Sequence, residues 1–368
     1  MTSDVNSLRV SPALVASRVR AIGAGVCLVL WCSCTTFPNW DDDDSIRPPL
    51  PAETSFDKAA GRGDLVCLKL RLERGGELLF ALDTGAQVTL LDKSLEPMLG
   101  KRLGSVEVRY SPYGAGKGGA YRAPRFYLGS TRLQTGEWIA TDDLSRIPFP
   151  NPAVRGILGM DCLRHYCVQL DFADRKIRFL DPDGVKNEEL GNGFPLTISS
   201  NRVFVDENLL GVKGASSLID AGDNTDGALA AKLFQQALEE QGLTNQVKRS
   251  THTGSRKALF PSGVFGGETY PDLRLLESSG GNTIGLRFLA RHLVTFNFPK
   301  RIMYLKRQSV GPLIDEGSFT NAAPSIGRDE ELKAATPALP GTDPSECSFT
   351  SCFGVCVCRP SVPMTGSG

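Results

Sequence analysis

The sequence has no excess of charge of either sign: Lys+Arg and Asp+Glu each number 41 in 368 residues. A balanced chain offers no electrostatic footprint for nucleic acid or for an anionic membrane surface as a partner. Local basic pairs such as Lys248-Arg249 and Arg256-Lys257 read as solvated loop charges. Histidine is scarce: His165, His252 and His292 are scattered along the chain, and the positions of His165 and His292 suggest packing or surface roles. No serine sits in G-x-S-x-G, so a serine nucleophile on a strand-to-helix elbow has no support. The apolar run "AIGAGVCLVLWCSC" at 21–34 is too short to cross a bilayer comfortably.

What that run does suit is the apolar stretch of an export signal, since Arg18 and Arg20 stand just ahead of it. Residues 1–34 are therefore read as a signal peptide or lipoprotein signal, which places the mature chain in a bacterial periplasm or cell envelope. Cys34 is the candidate lipid-accepting residue and hence a membrane attachment point; Leu30 and Ser33 suit that role, whereas Trp31 and Cys32 fit a lipobox poorly. In an oxidising compartment Cys347, Cys352, Cys356 and Cys358 could form two disulfides, with connectivity open. Their C-x4-C-x3-C-x-C spacing is unlike a zinc ribbon or finger and has no histidine beside it, so no metal is expected. Cys162 and Cys167 are near neighbours, but a strand between them would send them to opposite faces.

Residues 35–63, with an acidic run and several prolines, are expected to be a solvated linker. The body then begins near Asp64. "LVCLKLRLE" and "ELLFALDTG", joined by "RGG", read as a β-hairpin that ends at Asp83. "VEVRY", "RFYLG", "GEWIATDDL", "CVQLDF" and "KIRFL" are further strand candidates. Helical periodicity is rare, and its clearest instance is Leu229 to Gln241, with Leu229, Leu233, Ala237 and Leu238 on one face and Gly242 as the stop. "RGD" at 62–64 is read as the approach to a strand, not as an adhesion motif. Residues 308–368, rich in Pro, Ser and Gly, are expected to be a poorly packed tail.

A long repeat organises the body. The segment starting at Gly156, "GILGMDCLRHYCVQLDFADRKIRFL", matches "NTIGLRFLARHLVTFNFPKRIMYL" starting at Asn282. Gly159/Gly285, Leu163/Leu289, Val168/Val294, Phe172/Phe298 and Arg175/Arg301 are identical in constant register. The period is too long for a solenoid, so it is read as duplication of a lobe, 64–185 and 186–307. Each copy is preceded by an aspartate at the end of an apolar strand: Asp83 in "FALDTGA" and Asp220 in "SSLIDAGDNTD". Packed about a pseudo-twofold axis, the halves would bring Asp83 and Asp220 face to face. Two such carboxylates cannot both ionise, and one shared proton makes one an acid and the other a base that can activate water against a peptide carbonyl.

At these residues the chain resembles the aspartic proteases. "LLFALDTGAQVTLLD" looks like the active-site loop of retropepsin-like and pepsin-like enzymes, and "GILGMDCL" like the segment that supports it. The resemblance covers about residues 64–307 and is similar to the exported bacterial type with two retropepsin-like halves in one chain. It implies a mostly β fold of two pseudo-twofold related, closed-barrel-like lobes. It also implies catalytic Asp83 and Asp220 and no cofactor, with a peptide or protein as substrate. Thr84, Gly85 and Gly222 would position the dyad, while Leu158, Gly159, Ile284 and Gly285 would support its loops.

The second half departs from that pattern. Ala221 stands where Thr or Ser normally follows the aspartate, and Asp223 where the first half has Ala86. These changes motivate an alternative: a catalytically degenerate member that binds peptides or envelope partners. A monomer is expected, and a homodimer pairing two Asp83 loops is the other arrangement. A flap is expected in "VRYSPYGAGKGGAYRAPRFYLG", with "VKRSTHTGSRKALFPSGVFGG" matching it in the second half. A phosphate-loop reading of "GAGKGG" fails at both ends, because Ser111 and Gly118 occupy the positions that require Gly and Ser/Thr.

Overall fold

A computed structural model describes residues 49–110, 114–250, 254–314 and 355–358. The expected signal, Cys34, His252, Cys347 and Cys352 lie outside these described residues. In the first half the strands are β1 (Thr54–Ser55), β2 (Cys67–Leu72), β3 (Glu77–Leu82), β4 (Leu90–Asp92), β5 (Arg102–Tyr110), β6 (Gly114–Arg122), β7 (Phe126–Leu128), β8 (Thr131–Arg132), β9 (Trp138–Asp142), β10 (Val154–Leu158), β11 (Cys167–Asp171) and β12 (Lys176–Leu180). The second half contributes β13 (Asn192–Ser199), β14 (Arg202–Val205), β15 (Ser217–Asp220), β16 (Gly227–Ala230), β17 (Lys248–Arg249), β18 (Arg256–Phe265), β19 (Glu268–Ser278), β20 (Asn282–Gly285), β21 (His292–Asn297) and β22 (Ile302–Arg307). A last strand, β23 (Val355–Cys358), lies near the C-terminus. The fold is mostly β, with one 13-stranded and one 10-stranded sheet.

Alternation explains the outer strands. In β2, Leu68, Leu70 and Leu72 are buried while Lys69 is exposed; in β5, Val106, Val108 and Tyr110 are buried. The β2–β3 hairpin turns at Gly75, whose φ of 137° suits glycine alone. Central strands read differently. Phe80, Ala81 and Leu82 of β3 are consecutive and all buried, so this central strand, paired with β2 on one side and parallel β10 on the other, is covered on both faces.

The same local arrangement recurs: β15 pairs parallel with β20 as β3 does with β10. Between the halves, β11 and β21 pair antiparallel, centred on Gln169 opposite Thr295, and Gln169 Nε2 donates to Thr295 Oγ1 at 3.0 Å across a separation of 126 residues. Arg175 and Arg301, both in the left-handed region at φ 58° and 52°, turn the hairpins that follow. One sheet therefore runs across the boundary at residues 185 and 186, and neither half keeps its strands to itself.

Four expectations are corrected. Residues 51–63 are not solvated linker: Pro51 and Ala60 are buried, β1 pairs with β12, and Phe56 packs on Phe172 with ring centroids 5.5 Å apart. Apolar Phe56 and Ala60 outweigh the acidic and proline-rich run before them. The helix covers Ala231–Glu240, with Phe234, Ala237 and Leu238 on its buried face, whereas Leu229 belongs to β16, where parallel pairing with β19 takes its backbone. The tail is packed in part: Leu313 lies against the core, and β23 pairs with β5. The expected second flap is also short, since β17 has two residues and the long hairpin there is β18–β19, turning at Gly266-Gly267.

Candidate active site

Asp83 follows β3 directly, and its own N–H continues the parallel ladder by donating to Leu158 O at 3.0 Å. The chain then turns sharply, which aims the N–H groups of Gly85 (2.7 Å) and Ala86 (3.1 Å) at Asp83 Oδ1. Asp220 closes β15 opposite Gly285, and its Oδ1 accepts from the Gly222 N–H at 3.0 Å. The two turns abut. A Cβ built on Gly222 would lie 2.5 Å from Asp83 Cγ, and one on Gly85 would lie 2.7 Å from Asp220 Cγ. No side chain fits at either position, so glycine is what lets the two carboxyl groups meet.

The two acids are held unequally. Burial raises Asp83 above the ordinary carboxylate range, against the pull of the Gly85 amide and a hydrogen bond from Asp220. Burial raises Asp220 much further, and the negative charges of Asp83 and Asp223 add to it. Asp83, with two amide donors, is the better seat for the charge; Asp220 keeps the proton. Asp223 is half-buried and turned onto its own loop, where its Oδ1 accepts from Thr225 N (2.9 Å) and Thr225 Oγ1 (2.8 Å).

Thr84 joins the turns. Its hydroxyl donates to Ile219 O at 2.8 Å and accepts from Ala221 N at 2.9 Å, so one side chain satisfies two buried backbone groups of the other half. Ala221 has no hydroxyl with which to reciprocate. Thr84→Val, which keeps the shape and removes both bonds, is expected to cost about 2–4 kcal/mol in urea unfolding, whereas Thr84→Ser should stay close to the parent protein. Gln87 Nε2 adds a further tie, donating to Ser200 O at 2.8 Å.

Beneath each turn lies the glycine segment. Gly159 follows Leu158, and a Cβ on it would meet Val88 C at 2.6 Å; Gly285 follows Ile284, and a Cβ there would meet Thr225 O at 2.3 Å. Met160 N donates to Ala86 O (2.8 Å) and Leu286 N to Asp223 O (2.7 Å), so each of the short helices Met160–Leu163 and Leu286–Leu289 starts on the back of a dyad turn.

Sequence reasoning missed the polar contacts one layer further down. Thr89 Oγ1 donates to buried Asp161 at 2.8 Å, and burial pushes the Asp161 carboxyl up to about 6. In the second half the charges are arranged differently. Asp226, fully buried, receives Arg291 at 2.8 Å and is also bonded by Arg287. The available signal was positional: Thr89 and Asp226 stand equally far beyond their aspartates, as Asp161 and Arg287 do beyond their glycines.

Cys67, Cys162 and Cys167 are poor nucleophiles. Burial pushes the Cys67 and Cys167 thiols up to about 12 and that of Cys162 well above its ordinary value. His165 and His292 are both lowered to about 4 by burial, and His292 Nε2 is 2.9 Å from the Tyr270 hydroxyl. Among the described residues no group of three or more His, Cys, Asp or Glu side chains could hold a metal. No protein-family model matches the chain, and no curated protein matches it significantly.

Proposed function

We propose that the protein is an aspartic-type endopeptidase, built as two pseudo-twofold related lobes of the acid-protease type, with Asp83 and Asp220 as its catalytic dyad. The meeting of the two turns, each closed to anything larger than glycine by the opposite carboxyl group, carries this reading. Two contacts support the pseudo-twofold relation. Gln169 meets Thr295 at the centre of the β11–β21 pairing, and the hydroxyl of Thr84 meets the amide of Ala221. Each joins corresponding positions of the two halves, as a local twofold axis requires.

In the mechanism, Asp83 is the ionised member and takes a proton from a water held between the carboxyl groups as that water attacks the peptide carbonyl. Asp220 supplies its proton to the carbonyl oxygen, so charge does not build up in a site this buried. Collapse of the tetrahedral intermediate sends a proton to the leaving amine and restores the shared one. The substrate is an extended peptide or protein, and the export signal read at the N-terminus would place the reaction in the periplasm or envelope.

Both limbs of the pH profile follow. Activity falls on the acid side as Asp83 takes up a proton, and on the basic side as Asp220 loses its own. Because both carboxyl groups are raised, the window lies above the range in which a free aspartic acid titrates. Digestion of a diverse peptide library between about pH 3 and 8 should give internal cleavage with a bell-shaped profile, lost in Asp83→Asn. Unchanged cleavage by Asp83→Asn would remove the assignment.

A second reading is favoured by two observations: Asp220 Oδ1 has one amide donor where Asp83 Oδ1 has two, and Ala221 offers no hydroxyl. Under it the same cleft binds peptides or envelope partners without cutting. Binding of extended peptides with no cleavage anywhere in that pH range would establish it.

A further inference from the structure

Strand β5 has β6 on one side and β23 on the other. The antiparallel register sets Val355 opposite Tyr110, Cys356 opposite Arg109, Val357 opposite Val108 and Cys358 opposite Glu107. On β5 itself, Val106, Val108 and Tyr110 are buried in one small core with Ala86, Val88 and Leu90 of the dyad turn and the strand after it. Glu107 and Arg109 lie on the other face, more exposed, and pair at 2.6 Å. The Val-Cys-Val-Cys alternation thus sets both valines at the register positions of buried residues and both cysteines at those of the charged pair. A slip of one residue would invert this match.

The ladder that holds β23 on β5 is four residues long, and its few hydrogen bonds leave it separable from the edge. Without β23, β5 would present an open row of backbone donors and acceptors, the kind of edge that accepts an extended chain.

We propose that β23, paired on the outer edge of β5, acts as a separable brace for the core on which the Asp83 turn rests. The link to the site is physical: Ala86, in that core, donates one of the two amides to Asp83. The proposal goes beyond the catalytic reading and does not need it, since the turn is braced whether or not it cuts peptides.

The test is backbone amide exchange in the full chain against Cys356→Pro/Val357→Pro, which removes two consecutive donors and so disrupts the ladder whichever of them faces β5. Amides of residues 107–110 that point away from β6 should exchange at least about tenfold faster in the variant, and those of Gly85 and Ala86 should speed up as well. Gln169 and Thr295, on the distant β11–β21 pair, should keep their protection, and a chain ending at Ile314 should reproduce the result. Unchanged exchange in β5 overturns the docking. Faster exchange in β5 with none at Gly85 and Ala86 overturns the bracing, and protection in the parent protein that grows with its concentration assigns the edge to a second copy instead. None of these outcomes depends on hydrolysis, so failure here and failure of the dyad are separately visible.

Discussion

Replacing Asp220 with asparagine is expected to abolish peptide hydrolysis and, at neutral pH, to stabilise the fold. The two effects share one cause. Asp220 is buried beside Asp83 and close to Asp223, and all three influences push its proton affinity up. Below the ordinary aspartate value of about 3.9 both the native and the unfolded chain carry the proton, and the group costs nothing. As pH rises above that value the unfolded chain releases its proton while the native chain retains it, so stability is lost progressively up to the raised native value. Asparagine keeps an N–H donor for Asp83 and a carbonyl acceptor for the Gly222 amide, and it removes the titration. The unfolding free energy from urea titration should therefore rise at pH 7 and should not change near pH 3. Under the proposed mechanism hydrolysis should fall by at least about a thousandfold, because the variant would have no proton to give the carbonyl oxygen. Activity that survives Asp220→Asn would mean that Asp83 finds its partner elsewhere, in the Asp83 turn of a second chain.

How much of this was legible in the sequence depends on how local each feature is. The "DTGA" turn after an apolar strand marks Asp83 by itself, whereas Asp220 becomes visible through the repeat that follows it, because "DAGD" alone is an ordinary turn. The β2–β3 hairpin and the strands β5, β7, β9, β11 and β12 could be read from alternation and turn residues. What escaped was set by partners distant in the chain. Phe56 and Gly61 look like linker until Phe172 and Ala290, distant in the chain, are placed beside them. Thr89 and Asp161 are 72 residues apart and Asp226 and Arg291 are 65 apart, so no window of sequence contains either pair. The same holds for β23. Its four residues carry the right alternation, but nothing local names β5 as the strand they meet.

Asp226→Asn is expected to be the most damaging single change outside the dyad, costing about 3–5 kcal/mol. Asp226 is fully buried and accepts from Arg291 at 2.8 Å, from the Arg274 N–H at 2.8 Å, and from Arg287. Arg291 is fully buried too; its other bonds go to the neutral carbonyls of Pro271 and Asp272, so Asp226 is the one carboxylate it is bonded to among the described residues. The amide would leave that cation buried without its counter-charge, which costs more than the pair itself contributes. Arg291→Met on its own should be milder, because Arg287 remains on Asp226. In Asp226→Asn/Arg291→Met the stranded charge has gone, and stability should recover by at least about 1 kcal/mol over Asp226→Asn. Additive losses in that cycle would mean that the two side chains are not coupled. The damage should also reach the dyad, because the Asp226 carbonyl receives the Gly285 N–H at 2.9 Å and Gly285 is the register partner of Asp220. Asp226→Asn should therefore lower kcat even at temperatures where the protein is still fully folded, and the double variant should restore part of it.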